Sequence, residues 1–290
     1  MSKQILIKCL RQGGRSVHSF LDAQGKNGWD VPQNGNIGQW KGPVDGQLKP
    51  HHNGLHLAKK DFLIDWITGH HFIAETDGET VEGLDCVIAR KARLTEHLPI
   101  NAAKLSLFCD NQLALLPEIL DSLDVYPKIT SDVKKCIDAI SENGISNAHK
   151  SLSSMKEYKF VRQNANRLSY DELHSIEYQA CTETSKTCLD TIVGVYTMAE
   201  NGSNIAEFAK VISNKVAKSM DALYRNYHFM NDLCNEHYDH QDEVKSMGTF
   251  LAAKALISQK EVEQIPIQGF FRTLRHRQNR EILPALGINA

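Results

Sequence analysis

Trp40 to Trp66 reads WKGPVDGQLKPHHNGLHLAKKDFLIDW. Gly42-Pro43 and Asp45-Gly46 are turn dipeptides, and Pro50 followed by Asn53-Gly54 closes a second connection. Leu55, His56 and Leu57 then alternate, which predicts a short strand with the two leucines on one face and His56 on the other. Gly54, lacking a Cβ, permits close backbone approach just before that strand. From Asp61 the period becomes helical, with Phe62, Leu63, Trp66 and Ile67 as an apolar stripe and Gly69 as a stop.

Outward from this stretch the chain divides by composition. Towards the N-terminus, the apolar run Ile5 to Leu10, ended by Gly13-Gly14, reads as a first strand carrying Lys8 and Cys9. Residues 25–38, rich in Gly, Asn, Gln, Asp and Pro, read as a long loop with little structure of its own. Towards the C-terminus, Phe72 to Thr76 and Cys86 to Leu94 are strand candidates, separated by Asp77-Gly78 and Gly83. The alternation in Cys86 to Leu94 is imperfect and leaves its inward face open. Beyond Pro99 apolar residues recur at three and four, which predicts helices over about 101–115, 117–123, 131–142, 146–163, 170–199, 203–238 and 243–257. Ser131-Asp132 and Ser203 read as helix starts, and Asn201-Gly202 as a break. The expected fold is α+β: a small mixed or antiparallel sheet domain over residues 1–99, then a mainly α-helical domain over 100–290.

With 290 residues, 41% hydrophobic and 23% charged, the chain has the balance of a globular protein, and a formal net charge of -2 supplies no global field for nucleic acid or anionic membrane. No apolar run approaches the roughly 20 residues that cross a bilayer, and neither a signal peptide nor a membrane partner is expected. Seven cysteines without a C-x-x-C pair favour reduced thiols in a cytosol. Cys181 and Cys188 share a helix face and read as core. G-x-G-x-x-G, Walker, H-E-x-x-H and G-x-S-x-G patterns are absent, so the commonest nucleotide and hydrolase chemistries have no foothold.

The segment Pro50-His51-His52-Asn53-Gly54-Leu55-His56-Leu57-Ala58, with Trp40 and Gly46-Gln47-Leu48 before it and the helix of Leu63 to Trp66 after it, resembles a domain of unknown function. That domain recurs in phage and bacterial proteins, and the resemblance covers about the first third of the chain. Its first-strand lysine is matched by Lys8 and its Gly-aliphatic-His triplet by Gly54-Leu55-His56. Where its members often carry flanking cysteines, this chain has His51 and Ala58. The run GLHLAKKDFLIDW followed by FIAETDGETVE is also similar in order to the ADP-ribosyltransferase fold. That likeness implies NAD as cofactor, with Lys8, Gly54 and His56 lining a nicotinamide cleft and Trp66 near it. The first-strand His or Arg of those enzymes is absent here, and no glutamate is assigned to the catalytic position.

Other candidates read more blandly. Lys8 inside an apolar strand must snorkel, pair or face a pocket. His51 and His52 are adjacent on a turn, a poor arrangement for one metal, and His237, Asp239, His240 and Asp242 read as a solvated linker, so no metal ligand is assigned. Arg272, Arg275, Arg277 and Arg280, with His276, form a basic segment in which Arg272, Arg275 and His276 share one helical face suited to phosphate or an acidic partner. The favoured expectation is a cytoplasmic accessory protein of a bacterium or phage-infected cell that binds a protein partner and uses no cofactor. An NAD-dependent transferase and a nucleic-acid binder are the alternatives.

Overall fold

The computed structural model describes residues 4–11, 14–16, 28–33, 35–123, 127–168, 176–237 and 265–288. Five strands, β1 (Leu6–Arg11), β2 (Arg15–Ser16), β3 (Leu55–Lys59), β4 (His70–Glu82) and β5 (Cys86–Leu98), form an antiparallel sheet. One edge of β1 pairs with β4, from Leu6↔Ala74 to Leu10↔His70. Its other edge pairs first with β3, at Leu6↔Lys59 and Ile7↔Ala58, and then with β2 at Leu10↔Ser16. Because β3 also pairs with β5, and β5 with β4, the four longer strands close into a ring. Closure removes the exposed strand edge that an open sheet would leave.

The ring encloses Leu6, Leu10, Leu57, Phe72, Ala74, Val87, Ala89, Ala92 and Leu94. Val87 and Ala89 belong to this cluster and so do Ala92 and Leu94, so the inward alternation of β5 slips by one residue across Arg90-Lys91. That slip is why the face could not be read from a strict period of two. Opposite it, β4 carries a register shift between Asp77 and Thr80, with Gly78 at φ +78°. Asp77-Gly78 is thus a bulge inside one long strand, and the turn lies at Gly83 to Asp85. Nor is the 25–38 region without structure where it is described. Trp29 joins the core, its backbone N–H donates to Gly14 O (2.9 Å) and its Nε1 donates to Ser16 Oγ (3.1 Å).

A short helix α1 (Leu63–Trp66) follows β3, and among the described residues the sheet is followed by α2 (Ala102–Asp121), α3 (Pro127–Asn143), α4 (Ala148–Leu152), α5 (Lys156–Arg167), α6 (Ile176–Glu200), α7 (Ile205–His237) and α8 (Ile267–Ile282). Several boundaries differ from the sequence expectation. Helix α2 continues through Pro117, because burial of Leu113, Leu116, Ile119 and Leu120 outweighs the roughly 3 kcal/mol that an interior proline costs. The expected 146–163 helix is two, interrupted where Met155 is extended (φ -72°, ψ 129°). Helix α3 begins at Pro127, so Ser131-Asp132 lies inside it and Asp132 pairs with Lys128 at 2.8 Å. The break at Asn201-Gly202 is present. The cap is Asn204 rather than Ser203: its Oδ1 accepts from the N–H groups of Ala206 and Glu207. The expected 243–257 helix falls outside the described residues.

Two compact units result, one of Met1–Leu105, Asn204–Lys210 and Gln278–Ala290, the other of Ser106–Ser203 and Val211–Arg277. The second is helical, with Tyr158 stacked on Tyr196 and the Tyr224 hydroxyl donating to Ile265 O at 2.9 Å. In the first, the C-terminal segment is fastened to the sheet domain by polar contacts. Asn279, 2% exposed, accepts from Ile64 N–H (2.8 Å) and donates to Lys60 O (2.9 Å), while Asn101 N–H donates to Ala285 O (2.7 Å). Asn279→Ala orphans the Ile64 N–H and the Lys60 carbonyl together. It should therefore lower stability by about 2–3 kcal/mol in urea titrations, with the helical signal retained below the transition; an unchanged midpoint would show that these bonds do not hold the segment.

Candidate functional site

The register of β3 on β5 sorts their side chains onto two faces. Leu55 and Leu57 face the enclosed core with Ala89 and Val87, and His56 lies opposite Ile88 on the other face, as the alternation predicts. That second face carries a smaller apolar cluster of Leu48, Cys86 and Ile88, with Trp66 and Val81 against it. Gly54 adopts φ +118°, and a Cβ there would come within 2.2 Å of Ile88 Cγ2. The backbone at Gly54 is covered by the protein's own side chains, so its missing Cβ serves packing.

Around this cluster lies a group of polar side chains, His51, Asn53, His56 and Asp85. The turn Lys49–Asn53 is tied by the Asn53 side chain, which donates to Asp45 O and Gln47 O, and it projects His51 in a left-handed conformation (φ +59°). The His51 ring stacks on Trp66 at 6.4 Å between centroids and lies 6.1 Å from the His56 ring. His51 Nε2 is 3.6 Å from Asp85 Oδ1, and Trp66 Nε1 donates to Asp85 Oδ2 at 2.9 Å. Cys86 follows, fully buried. Burial, and then the adjacent Asp85 charge, push its thiol up to about 12. Donor atoms of His51, Asp85 and Cys86 all lie within 4.8 Å of one another. His56 Nδ1, 3.0 Å from Gly54 O, faces an acceptor and so carries the ring proton in the neutral form.

The structure thus brings Gly54, His56 and Trp66 into one neighbourhood. Lys8 is placed elsewhere. It follows Leu6 and precedes Leu10 on the enclosed face, is 7% exposed, donates to His56 O at 3.0 Å and approaches the Trp29 ring at 5.1 Å. The His56 carbonyl lies beyond the last β1–β3 pair, and the Lys8 ammonium replaces the missing ladder donor. Lys8 and the His56 imidazole leave the sheet on opposite faces and do not line one cleft. The basic segment is also divided, since Arg272 and Arg280 are exposed, Arg277 is half-buried, and Arg275 is buried with its guanidinium donating to Ser213 Oγ at 2.8 Å. Arg275 therefore does not share an exposed face with Arg272, because helix packing turns it inward. The expected linker cluster of Asp239, His240 and Asp242 lies outside the described residues.

Sequence reasoning set aside His51 and passed over Asp85 and Cys86. The signal was Asp85-Cys86 just past Gly83-Leu84, but placing a turn at Asp77-Gly78 left the hairpin register unset. No family model, curated protein or solved structure matches this chain.

Gly54→Ala combines a strained φ with a clash on Ile88 and should cost about 3 kcal/mol or more, read as a lowered melting temperature. Burial holds Lys8 down to about 8 from 10.5. Between those pH values the unfolded chain binds more protons than the folded one, so the Lys8 contribution to stability rises with pH. Buried thiols such as Cys9, pushed up to about 12, act in the opposite sense above pH 9. The measurement is therefore the stability of the wild type minus that of Lys8→Met. This difference should grow by up to about 3 kcal/mol from pH 7.5 to 10.5, whereas a flat difference would mean Lys8 titrates normally.

Proposed function

We propose that this protein acts by binding a partner macromolecule, a protein, through the face of the sheet domain that Trp40 presents. One observation carries the reading: Trp40 is half-exposed, and its ring is covered by two cations, Arg93 at 4.5 Å and Lys91 at 5.0 Å. The segment holding it runs beside β5, through Gly38 N–H to Leu94 O and Lys41 N–H to Ala92 O, and exposes Ile37 nearby. Tryptophan and arginine are the residues that most often carry protein–protein binding energy.

The electrostatics favour protein over nucleic acid. Each cation on the hairpin has a carboxylate across the strand: Arg93 with Glu75 (2.9 Å), Lys91 with Asp77 (2.8 Å) and Arg90 with Glu79. A face neutralised in this way does not collect phosphates as a basic stripe does. Catalysis has less support. The thiols of Cys9, Cys86, Cys109, Cys136 and Cys188 are all buried and pushed well above neutrality, and the Lys8 amine is engaged by a backbone carbonyl. The resemblance of residues 50–58 to a phage and bacterial domain supports a setting in the cytoplasm of a bacterium or an infected cell. No helix among the described residues is long and apolar enough to cross a membrane.

The test compares proteins recovered on immobilised wild type and Trp40→Ala, followed by calorimetry with the purified partner. Trp40→Ala should weaken binding about thirtyfold, near 2 kcal/mol, and leave the melting temperature almost unchanged. Equal affinity for the two would remove this face. In parallel, titrating the wild type with NAD should give no heat of binding; a saturating one-to-one isotherm would restore the transferase reading.

A further inference from the structure

We infer that His51, Asp85 and Cys86 form a three-ligand site for a divalent transition-metal ion of the zinc type, leaving one coordination position open. The site is independent of the Trp40 face. Three donors from two separate segments, the Lys49–Asn53 turn and the start of β5, converge within 4.8 Å. An imidazole nitrogen, a carboxylate oxygen and a thiol sulfur are the donors that zinc takes in tetrahedral sites, whereas magnesium and calcium select oxygen alone.

The surroundings hold the donors in place. Trp66 Nε1–H engages Asp85 Oδ2 and so fixes the carboxylate, leaving Oδ1 towards His51. Metal-binding carboxylates are commonly oriented by an outer hydrogen bond of this kind. His51 is the non-glycine residue with positive φ among the described residues, a conformation that costs energy and here aims the imidazole at Asp85, with Trp66 stacked against its ring. Tetrahedral donors around zinc stand about 3.5 Å apart, so the group must draw in by about 1 Å. The His51 side chain, 61% exposed on its turn, supplies that movement, and Cys86 and Asp85 stay anchored in the hairpin. On binding, the Cys86 S–H bond breaks, the sulfur lone pair coordinates the ion and the proton passes to solvent. His51 coordinates through an imidazole nitrogen lone pair and Asp85 through a carboxylate oxygen.

The experiment uses the full chain stripped of metal, with Zn²⁺ alone and Co²⁺ alone as probes, on wild type, His51→Gly and Cys86→Ser. In the wild type, one equivalent of Co²⁺ should develop a thiolate-to-metal charge-transfer band. One Zn²⁺ should release about one proton and raise the melting temperature by mass action. His51→Gly relieves the strained φ, so its metal-free melting temperature should equal or exceed that of the wild type. Its metal-induced rise should vanish, its Zn²⁺ affinity fall at least tenfold and its cobalt band be lost. Cys86→Ser, if it folds, should lose the band as well; if it does not, His51→Gly alone decides. Absence of a thiolate band in the wild type, or the same metal response in wild type and His51→Gly, would overturn the site.

Discussion

Strand β1 is hydrogen-bonded along both edges, and the sheet domain depends on that. One edge is committed to β4 from Leu6 to Leu10, while the other is shared between β3 and β2. Sharing an edge leaves β3 from Leu55 to Leu57 paired with β5 but without a ladder partner on its β1 side. There the His56 carbonyl would be starved of a donor in an enclosed space, at a cost of about 1–3 kcal/mol. Lys8 meets that need by placing its ammonium on the carbonyl, with Trp29 behind it. A charged residue inside the ring therefore follows from the topology of closure, and its lowered proton affinity follows from the burial that closure imposes.

The same closure separates two environments. Inside the ring, alternation along β3 and β5 collects Leu55, Leu57, Val87 and Ala89. Outside it, the intervening residues His56, Cys86 and Ile88 are covered by Leu48 and Trp66. The cover is held by polar contacts where strand gives way to turn or helix: Trp66 to Asp85, Asn53 to Asp45 and Gln47, and Asn279 to Lys60 and Ile64. The candidate metal donors stand at the rim of this cover, where the hairpin turn and the Lys49–Asn53 turn converge. The Trp40 face belongs to a different stretch of β5, beyond its pairing with β3.

Much of this was legible from local patterns. The period of two at Leu55 to Leu57, the apolar run of β1 and the change of period beyond Pro99 each report which side of an element meets solvent, and that preference acts over a few residues. They give the strands, the opposite facing of His56 and the α+β class. Patterns failed where a local preference was overruled. Asp77-Gly78 has turn chemistry but forms a bulge, since β5 continues to pair on both sides of it. Pro117 has breaker chemistry but sits in a helix whose buried leucines outweigh it. In β5, the slip across Arg90-Lys91 cannot be seen without its partners.

By itself, the sequence determined the kinds of element, their order and the inward set of the short strands, because these depend on side-chain period and turn residues close along the chain. Only the tertiary structure decided that β1 uses both edges, that Asn279 returns to fasten α1, that Arg275 turns inward, and that His51 meets Asp85 and Cys86. Each of these joins residues far apart in the chain, and their proximity is set by strand register and the sharing of hydrogen-bond partners, which no local pattern encodes.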